Sequence, residues 1–243
     1  MARPRTTRPG RAPPAMPETP VDPAPLCAVV LAAGQGRRLG GCAKAALEID
    51  GRSLFDGVVQ ALRGAGAAEV LVVVGPYLDT WHTLASRVGA LVLEHRQKDA
   101  SRAESQRLGL RAGLERRPGH DLMFCVADLP LLHAGAVRAL VAAWHRREHH
   151  VQALVPWVGG QRGHPVLLSA AAAARLDAAA AGVGLRDWLA ANPQAVQALA
   201  CEDECHVVDL DTEQDLETLR RRLAPARVDW PAGTRPQLSE GRR

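Results

Sequence analysis

The chain has 243 residues, 47% of them hydrophobic and only 3% aromatic, with a formal net charge of +4. Such a length allows one large domain or two small ones with a substantial core, and so few aromatics leave no stacking platform for single-stranded nucleic acid. No apolar run approaches the ~20 residues of a membrane helix, and the arginine-bearing N-terminus lacks the apolar stretch of a signal peptide, so a cytoplasmic protein without a membrane partner is expected.

The charge is unevenly placed. Residues 1–25 carry +2 and residues 221–243 carry +4, which leaves −2 on the body of the chain. The basic excess therefore lies in two tails rich in Pro, Gly and Arg, and it gives no nucleic-acid-binding face. The composition predicts disorder over 1–25 and 223–243, with a single folded domain over 26–222. Five cysteines, at 27, 42, 125, 201 and 205, are an odd number without secretory context and are expected to be reduced. Cys201, Cys205 and His206 lack the spacing of a usual zinc hook, and the segment reads as a solvated loop.

In chain order, an apolar run ending Val29-Val30-Leu31-Ala32 has the length of a buried strand. It breaks into a segment with Gly34, Gly36, Gly40 and Gly41, accompanied by Arg37, Arg38 and Lys44. Glycines let successive N–H groups point into one concavity, and three cations beside them suit a polyphosphate. The dinucleotide fingerprint G-x-G-x-x-G fails because Leu39 stands at its third glycine. The P-loop also fails, since Lys44 lies between Ala43 and Ala45.

Ser53 is a plausible N-cap for a helix bearing Leu54, Val58, Ala61 and Leu62 on one face. A strand over 69–74, a helix over 80–87 and a short strand over 90–93 follow, which is the pattern of a parallel α/β half. Arg102, Arg107 and Arg111 read as an exposed helix face. The next hydrophobic run, 121–127, ends in Asp128-Leu129-Pro130, where a carboxylate at a strand's end can anchor Mg²⁺ or cap the helix expected over 133–147. A strand over 152–158 turns back through Gly163-His164-Pro165 into a second strand, and an alanine-rich helix is expected over 170–181. Asp209 and Asp211 occupy alternate positions of an expected strand and so face one side, with Thr212 capping a helix that ends near Leu223.

Six segments, spread over about residues 26–222, resemble the nucleotidyltransferases that act on the molybdenum cofactor. Leu31-Ala32-Ala33-Gly34, Arg38-Leu39-Gly40 and Lys44 match that family's L-A-A/G-G-x-x-x-R-M/L-G-x-x-K signature. Leu110 to Leu114 is similar to its S-L-x-A-G-L, and Asp128-Leu129-Pro130-Leu131 to its D-x-P-L/M. Gly160 to Leu168 and Gly182 to Leu189 resemble segments of the cytidylyl branch, and Asp209-Leu210-Asp211-Thr212 resembles D-I/L-D-T. The resemblance implies a three-layer Rossmann-like α/β fold with a mixed, mostly parallel sheet. It implies transfer of CMP from CTP to a molybdopterin-type acceptor, with release of pyrophosphate and with Mg²⁺ as cofactor. A molybdoenzyme client or chaperone is a further possible partner.

By the same resemblance, Leu31, Ala32, Ala33, Gly34, Gln35, Gly36, Arg38 and Lys44 bind the nucleotide, with Arg38, Lys44 and Asp128 catalytic. Asp128, Asp209 and Asp211 are the metal ligands, Asp209 being the preferred partner of Asp128, while His164 and Arg186 contact the acceptor. Ala43 stands where relatives usually carry aspartate, and the serine cluster near 105–109 is largely replaced. A guanylyltransferase, an enzyme with another small phosphate acceptor, or a non-catalytic nucleotide-binding relative remain the alternatives.

Overall fold

A computed structural model describes residues 25–95 and 100–231. The expected tails at 1–24 and 232–243, and residues 96–99 of the segment before the third helix, lie outside the described residues. Strand β1 (Leu26–Ala32) is the axis of the sheet, and its alternation decides the layers. Leu26, Ala28, Val30 and Ala32 point into one core, whereas Cys27 and Val29 point into the other. A strand buried on both faces needs apolar residues at every position, so β1 reads as a continuous apolar run.

Around β1 the sheet takes β4 (Ala67–Val74) and β5 (Leu91–Glu94) on one side, both parallel to it. On the other side lie β6 (Asp121–Val126), β9 (Val166–Leu168), β7 (Ala153–Val158) and the edge strand β10 (Val196–Ala200). Strand β9 is antiparallel to both β6 and β7, so the mostly parallel sheet is interrupted by one reversed strand, and the short β8 (Gln161–Arg162) pairs antiparallel with β7. The observed architecture is the expected mixed, mostly parallel sheet covered by helices on both faces.

One face carries α1 (Leu54–Gly64), α2 (Leu78–Val88), α4 (Ala134–His145) and α7 (Glu213–Leu223). The opposite face carries α3 (Arg102–Arg116), α5 (Ala170–Asp177) and α6 (Leu185–Ala191). Helix α3 lies close to the sheet because Gly109 has no side chain; a Cβ there would stand 2.3 Å from Val29 Cγ1. At the end of the sheet away from the glycine loop, buried Asp121 accepts from Trp144 Nε1 at 2.9 Å, Arg147 at 3.1 Å and Ala170 N at 3.0 Å. One carboxylate thus ties the start of β6 to the end of α4 and the start of α5. Among the described residues no helix is long and apolar enough to cross a membrane.

Several expectations need correction. Residues 207–211 form no strand; Leu210 N donates to Asp128 O at 3.1 Å instead of joining a ladder. The alanine-rich helix stops at Asp177, four residues short, because Arg107 of α3 takes the carbonyls of Ala179 and Ala180 at 3.1 and 2.8 Å. Ordered structure also continues past residue 222. Strand β11 (Val228–Asp229) completes a small antiparallel sheet with β2 (Glu48–Ile49) and β3 (Arg52–Ser53). Asp50 fixes that return: its N–H donates to Arg227 O and its Oδ1 accepts from Arg227 N, both at 2.8 Å.

Candidate active site

The order β5-β4-β1-β6 places the topological switch beside β1, since the chain moves outward through β4 and β5 and returns to β6 on the other flank. Open α/β sheets bind ligands outside the carboxyl ends of strands at such a point. Leu31 pairs with Val126, so the loops after β1 and β6 leave the sheet side by side. Leu31 and Ala32 are strand residues, with Leu31 half-buried and Ala32 buried.

The loop after β1 is built on one carbonyl. Leu39 N and Gly41 N both donate to Gly36 O, at 2.9 and 3.0 Å, which closes a tight 3₁₀ turn over Arg37–Leu39. Gly36 has φ +58°, and a Cβ there would meet Cys42 O at 2.2 Å, so only glycine closes this turn. Leu39 is fully buried and pins the turn, while Gly34 and Arg38 stay exposed. From the loop after β4, the Tyr77 hydroxyl donates to Gln35 O at 3.0 Å, and Arg37 Nε donates to the Gln35 side chain at 2.7 Å. Sequence reasoning missed Tyr77, the lone tyrosine of the chain, which carried no motif.

Lys44 reaches past this turn into a group of carboxylates. Its ammonium donates to Asp128 Oδ2 and to Asp211 Oδ1, the latter at 2.6 Å, and Arg38 donates to Asp211 Oδ2 at 2.5 Å. Three segments far apart in sequence thus meet on one side chain. Asp128 is held by the carboxyl end of β6, and it does not cap α4, whose N-cap is His133. Asp211 is fixed from behind: its N–H and that of Thr212 donate to Asp215 Oδ2 at 3.1 and 2.7 Å, within the capping box that starts α7.

The electrostatics follow from this packing. Burial works to lower the Lys44 pKa, but Asp128 and then Asp211 outweigh it and hold the ammonium above its ordinary value. Burial likewise works to raise Asp211, and the hydrogen bond and charge of Lys44, with Arg38, hold it below the usual carboxylate range. Asp209 goes the other way. Its own burial and the neighbouring carboxylates of Asp211 and Asp128 push it up, and Lys44 offsets only part of that. So Asp211, rather than Asp209, shares a cation directly with Asp128.

A divalent cation fits these residues, because two carboxylates already converge on one positive nitrogen with a third nearby. All the donors are oxygens, the set that Mg²⁺ or Mn²⁺ takes. The Lys44 ammonium stands where a cation is stabilised.

The two expected acceptor residues are placed differently. His164 is half-buried, with Nδ1 against Phe124 O at 3.3 Å, and its backbone exchanges hydrogen bonds with His206 at 2.9 and 2.8 Å. Burial lowers its pKa below 6.5 against the pull of the Phe124 carbonyl and the Asp128 charge, so the ring is neutral at pH 7. Arg186 is exposed in the first turn of α6, and among the described residues it has no hydrogen-bond or ion-pair partner. What holds that turn is Gln106 of α3, whose Oε1 accepts from Leu185 N at 2.8 Å. Arg111 pairs with Asp177 at 2.8 Å, as an exposed helix face would.

Residues 28–197 match the model of the MobA-like NTP transferase domain. The molybdenum cofactor guanylyltransferase of Acidiphilium cryptum is 31% identical over 202 residues, 79% of this chain and 92% of that protein. Nicotine blue oxidoreductase of Paenarthrobacter nicotinovorans is 26% identical over 196 residues, 79% of this chain and 94% of that protein. The chain spans about a quarter (26%) of the length of two bifunctional curated relatives that match over 126 and 118 residues. In fold, it is similar to the crystal structure of Rv0371c from Mycobacterium tuberculosis H37Rv, with a TM-score of 0.68 at 21% identity over 82% of this chain and 98% of that one.

Proposed function

Since the chain belongs to the MobA-like NTP transferase domain family, we propose that it transfers a nucleoside monophosphate from a nucleoside triphosphate to a phosphorylated small molecule of molybdopterin type. The observation that carries this reading is the meeting of Arg38, Lys44, Asp128 and Asp211 beside the glycine turn, at the carboxyl ends of β1 and β6. Transfer of this kind asks little covalent chemistry of a protein; it asks for position and for charge where the phosphates are.

The turn around Gly36 O presents the exposed face of 33–36 to the triphosphate, and Arg38 and Lys44 supply the positive charge that the transferring and leaving phosphates need. Asp128 and Asp211, with Asp209 behind them, are the residues that would hold a divalent ion, taken here as Mg²⁺. When bound, such an ion neutralises phosphate charge and aligns the attacking and leaving oxygens. A phosphate nucleophile is already ionised, so no side chain has to remove a proton. Neutral His164 supports the Asp128 side of the site through its Phe124 contact and carries no charge toward an acceptor phosphate.

CTP is the proposed donor, on the Gly163-His164-Pro165 turn and the Gly182–Leu189 segment that resemble the cytidylyl branch. A second reading, GTP, is favoured by the Acidiphilium relative, named a guanylyltransferase. Pyrophosphate release with each of the four nucleoside triphosphates and molybdopterin decides between them. No release with any triphosphate, metal and acceptor refutes the transferase reading. Lys44→Ala is expected to lower kcat more than nucleotide affinity; an unchanged kcat with a raised KM refutes a role for Lys44 in the transition state.

A further inference from the structure

We propose a second metal site, for a zinc-like transition ion, formed by His133, Asp203 and Cys205. An imidazole nitrogen, a carboxylate oxygen and the Cys205 sulfur all lie within 4.8 Å of one another. They come from two segments 70 residues apart, and one contact already joins their side chains, His133 Nε2 to Asp203 Oδ2 at 2.8 Å. Bonds of the usual Zn–N, Zn–O and Zn–S lengths place tetrahedral ligand atoms up to about 3.7 Å apart, so the three donors need to close by only about 1 Å. From the sequence, Cys201 to His206 reads as a loop without zinc spacing. The fold supplies the missing nitrogen, since His133 opens α4 from elsewhere in the chain.

The donor types separate this site from the catalytic one. Nitrogen, oxygen and sulfur together select zinc-like ions over Mg²⁺, which takes oxygens. Access also suits an ion. Cys205 forms the floor at 1% exposure, while the His133 and Asp203 side chains are 56% and 48% exposed and leave the mouth open to solvent. Three protein ligands and one water complete four-coordination.

The proton balance is explicit. In the metal-free protein Ala136 N donates to His133 Nδ1 at 3.3 Å, so the imidazole proton sits on Nε2 and is shared with Asp203. An ion at Nε2 moves that proton to Nδ1 and gives up the long Ala136 contact. The Cys205 thiol loses its proton to solvent, so one proton is released per ion bound. His133 follows Asp128 by five residues and Cys205 precedes Asp209 by four, so an ion here staples the two segments that carry the catalytic carboxylates.

The test is a Co²⁺ titration of the metal-free full-length chain, followed by its absorption spectrum. In a large excess of Mg²⁺, which fills the catalytic carboxylates, one Co²⁺ per chain is expected, with a thiolate-to-metal charge-transfer band and the visible bands of a four-coordinate ion. Cys205→Ser is expected to remove the charge-transfer band, and His133→Gln to weaken Co²⁺ binding at least tenfold. Cys201→Ser, Asp128→Asn and a large excess of Mg²⁺ are expected to leave the band in place. Because His133 is a surface residue, its variant tests the site even if Cys205→Ser fails to fold. The proposal is overturned by a folded chain that shows no charge-transfer band, by a band that Cys201→Ser removes, or by Co²⁺ affinity that His133→Gln leaves unchanged.

Discussion

Replacing Lys44 by methionine separates two consequences of one side chain. In the free protein the ammonium holds Asp128 and Asp211 together, with Asp211 Oδ1 at 2.6 Å. A charge pair at about 4 Å gains about 1 kcal/mol in water and about 4 kcal/mol at an effective dielectric of 20. The Lys44, Asp128 and Asp211 side chains keep 17%, 18% and 30% of their exposure, so both pairs fall between those limits. Removing the ammonium also relieves its own desolvation, which offsets part of the loss. The free protein should therefore lose about 1–3 kcal/mol, and its Tm should drop by roughly 2–10 °C. Divalent-metal affinity in the absence of nucleotide should move the other way. Methionine leaves Asp128 without a competing cation and Asp211 with Arg38 alone, so about 1.4 kcal/mol of that loss recovered on binding tightens the metal about tenfold. Turnover should still fall by about 100- to 1,000-fold, the usual cost of removing a group that meets developing charge. Calorimetric titration with Mg²⁺ or Mn²⁺, beside steady-state kinetics, measures both signs. Metal affinity that is unchanged or weaker in the variant would refute the idea that Lys44 occupies the cation's place.

Three other outcomes follow from single contacts. Gly36→Ala puts a Cβ 2.2 Å from Cys42 O at φ +58°, so the turn cannot close; nucleotide affinity by calorimetry should fall at least about tenfold, roughly 1.4 kcal/mol. Asp121→Ala leaves Trp144, Arg147 and Ala170 without their shared acceptor, and urea denaturation should show a loss of about 3 kcal/mol with kcat of the folded protein unchanged. His164 titrates below 6.5 because burial disfavours its charged form. Between the ordinary and the lowered pKa the unfolded chain binds a proton that the folded chain does not, so stability falls as the pH drops below about 6.5. A Tm series against pH should be flatter in that window for His164→Gln, and an identical slope would show that the ring is not the group responsible.

The parts of the site that lie within one segment were legible in the sequence, and those that depend on contacts between segments were not. Strand β1 announced itself because both of its faces are buried, and the glycine turn because its backbone needs glycine. Asp128 was legible through its place after a hydrophobic run. The division of labour between Asp209 and Asp211 was hidden. Alternation along an expected strand puts both on one side, and the family resemblance prefers Asp209 as the partner of Asp128, but residues 207–211 are pulled off the sheet by the bond from Leu210 N to Asp128 O. Tyr77 and Gln106 carried no signal, since a single hydroxyl or amide reveals its partner only when the chain is folded. Strand β11 was obscured by composition: the arginines and prolines around it resemble a tail, and its pairing depends on Asp50, far away in the chain.

Ala43 shows how the same packing bears on activity. Relatives of the resembling family usually place aspartate there, and its loss suggests a protein that binds nucleotide without turning it over. The structure gives the position a different meaning. Ala43 is 6% exposed and belongs to the core cluster that includes Leu39 and Leu47, next to the turn that pins the glycine loop. Lys44, the following residue, already meets two carboxylates from β6 and from the start of α7. A charged side chain at 43 would have to be desolvated in that apolar cluster or draw Lys44 away from Asp128 and Asp211. Alanine therefore keeps the turn packed and leaves the lysine with its partners. The groups that can hold a cation and meet phosphate charge remain together in its absence, which favours an enzyme over a silent binding protein.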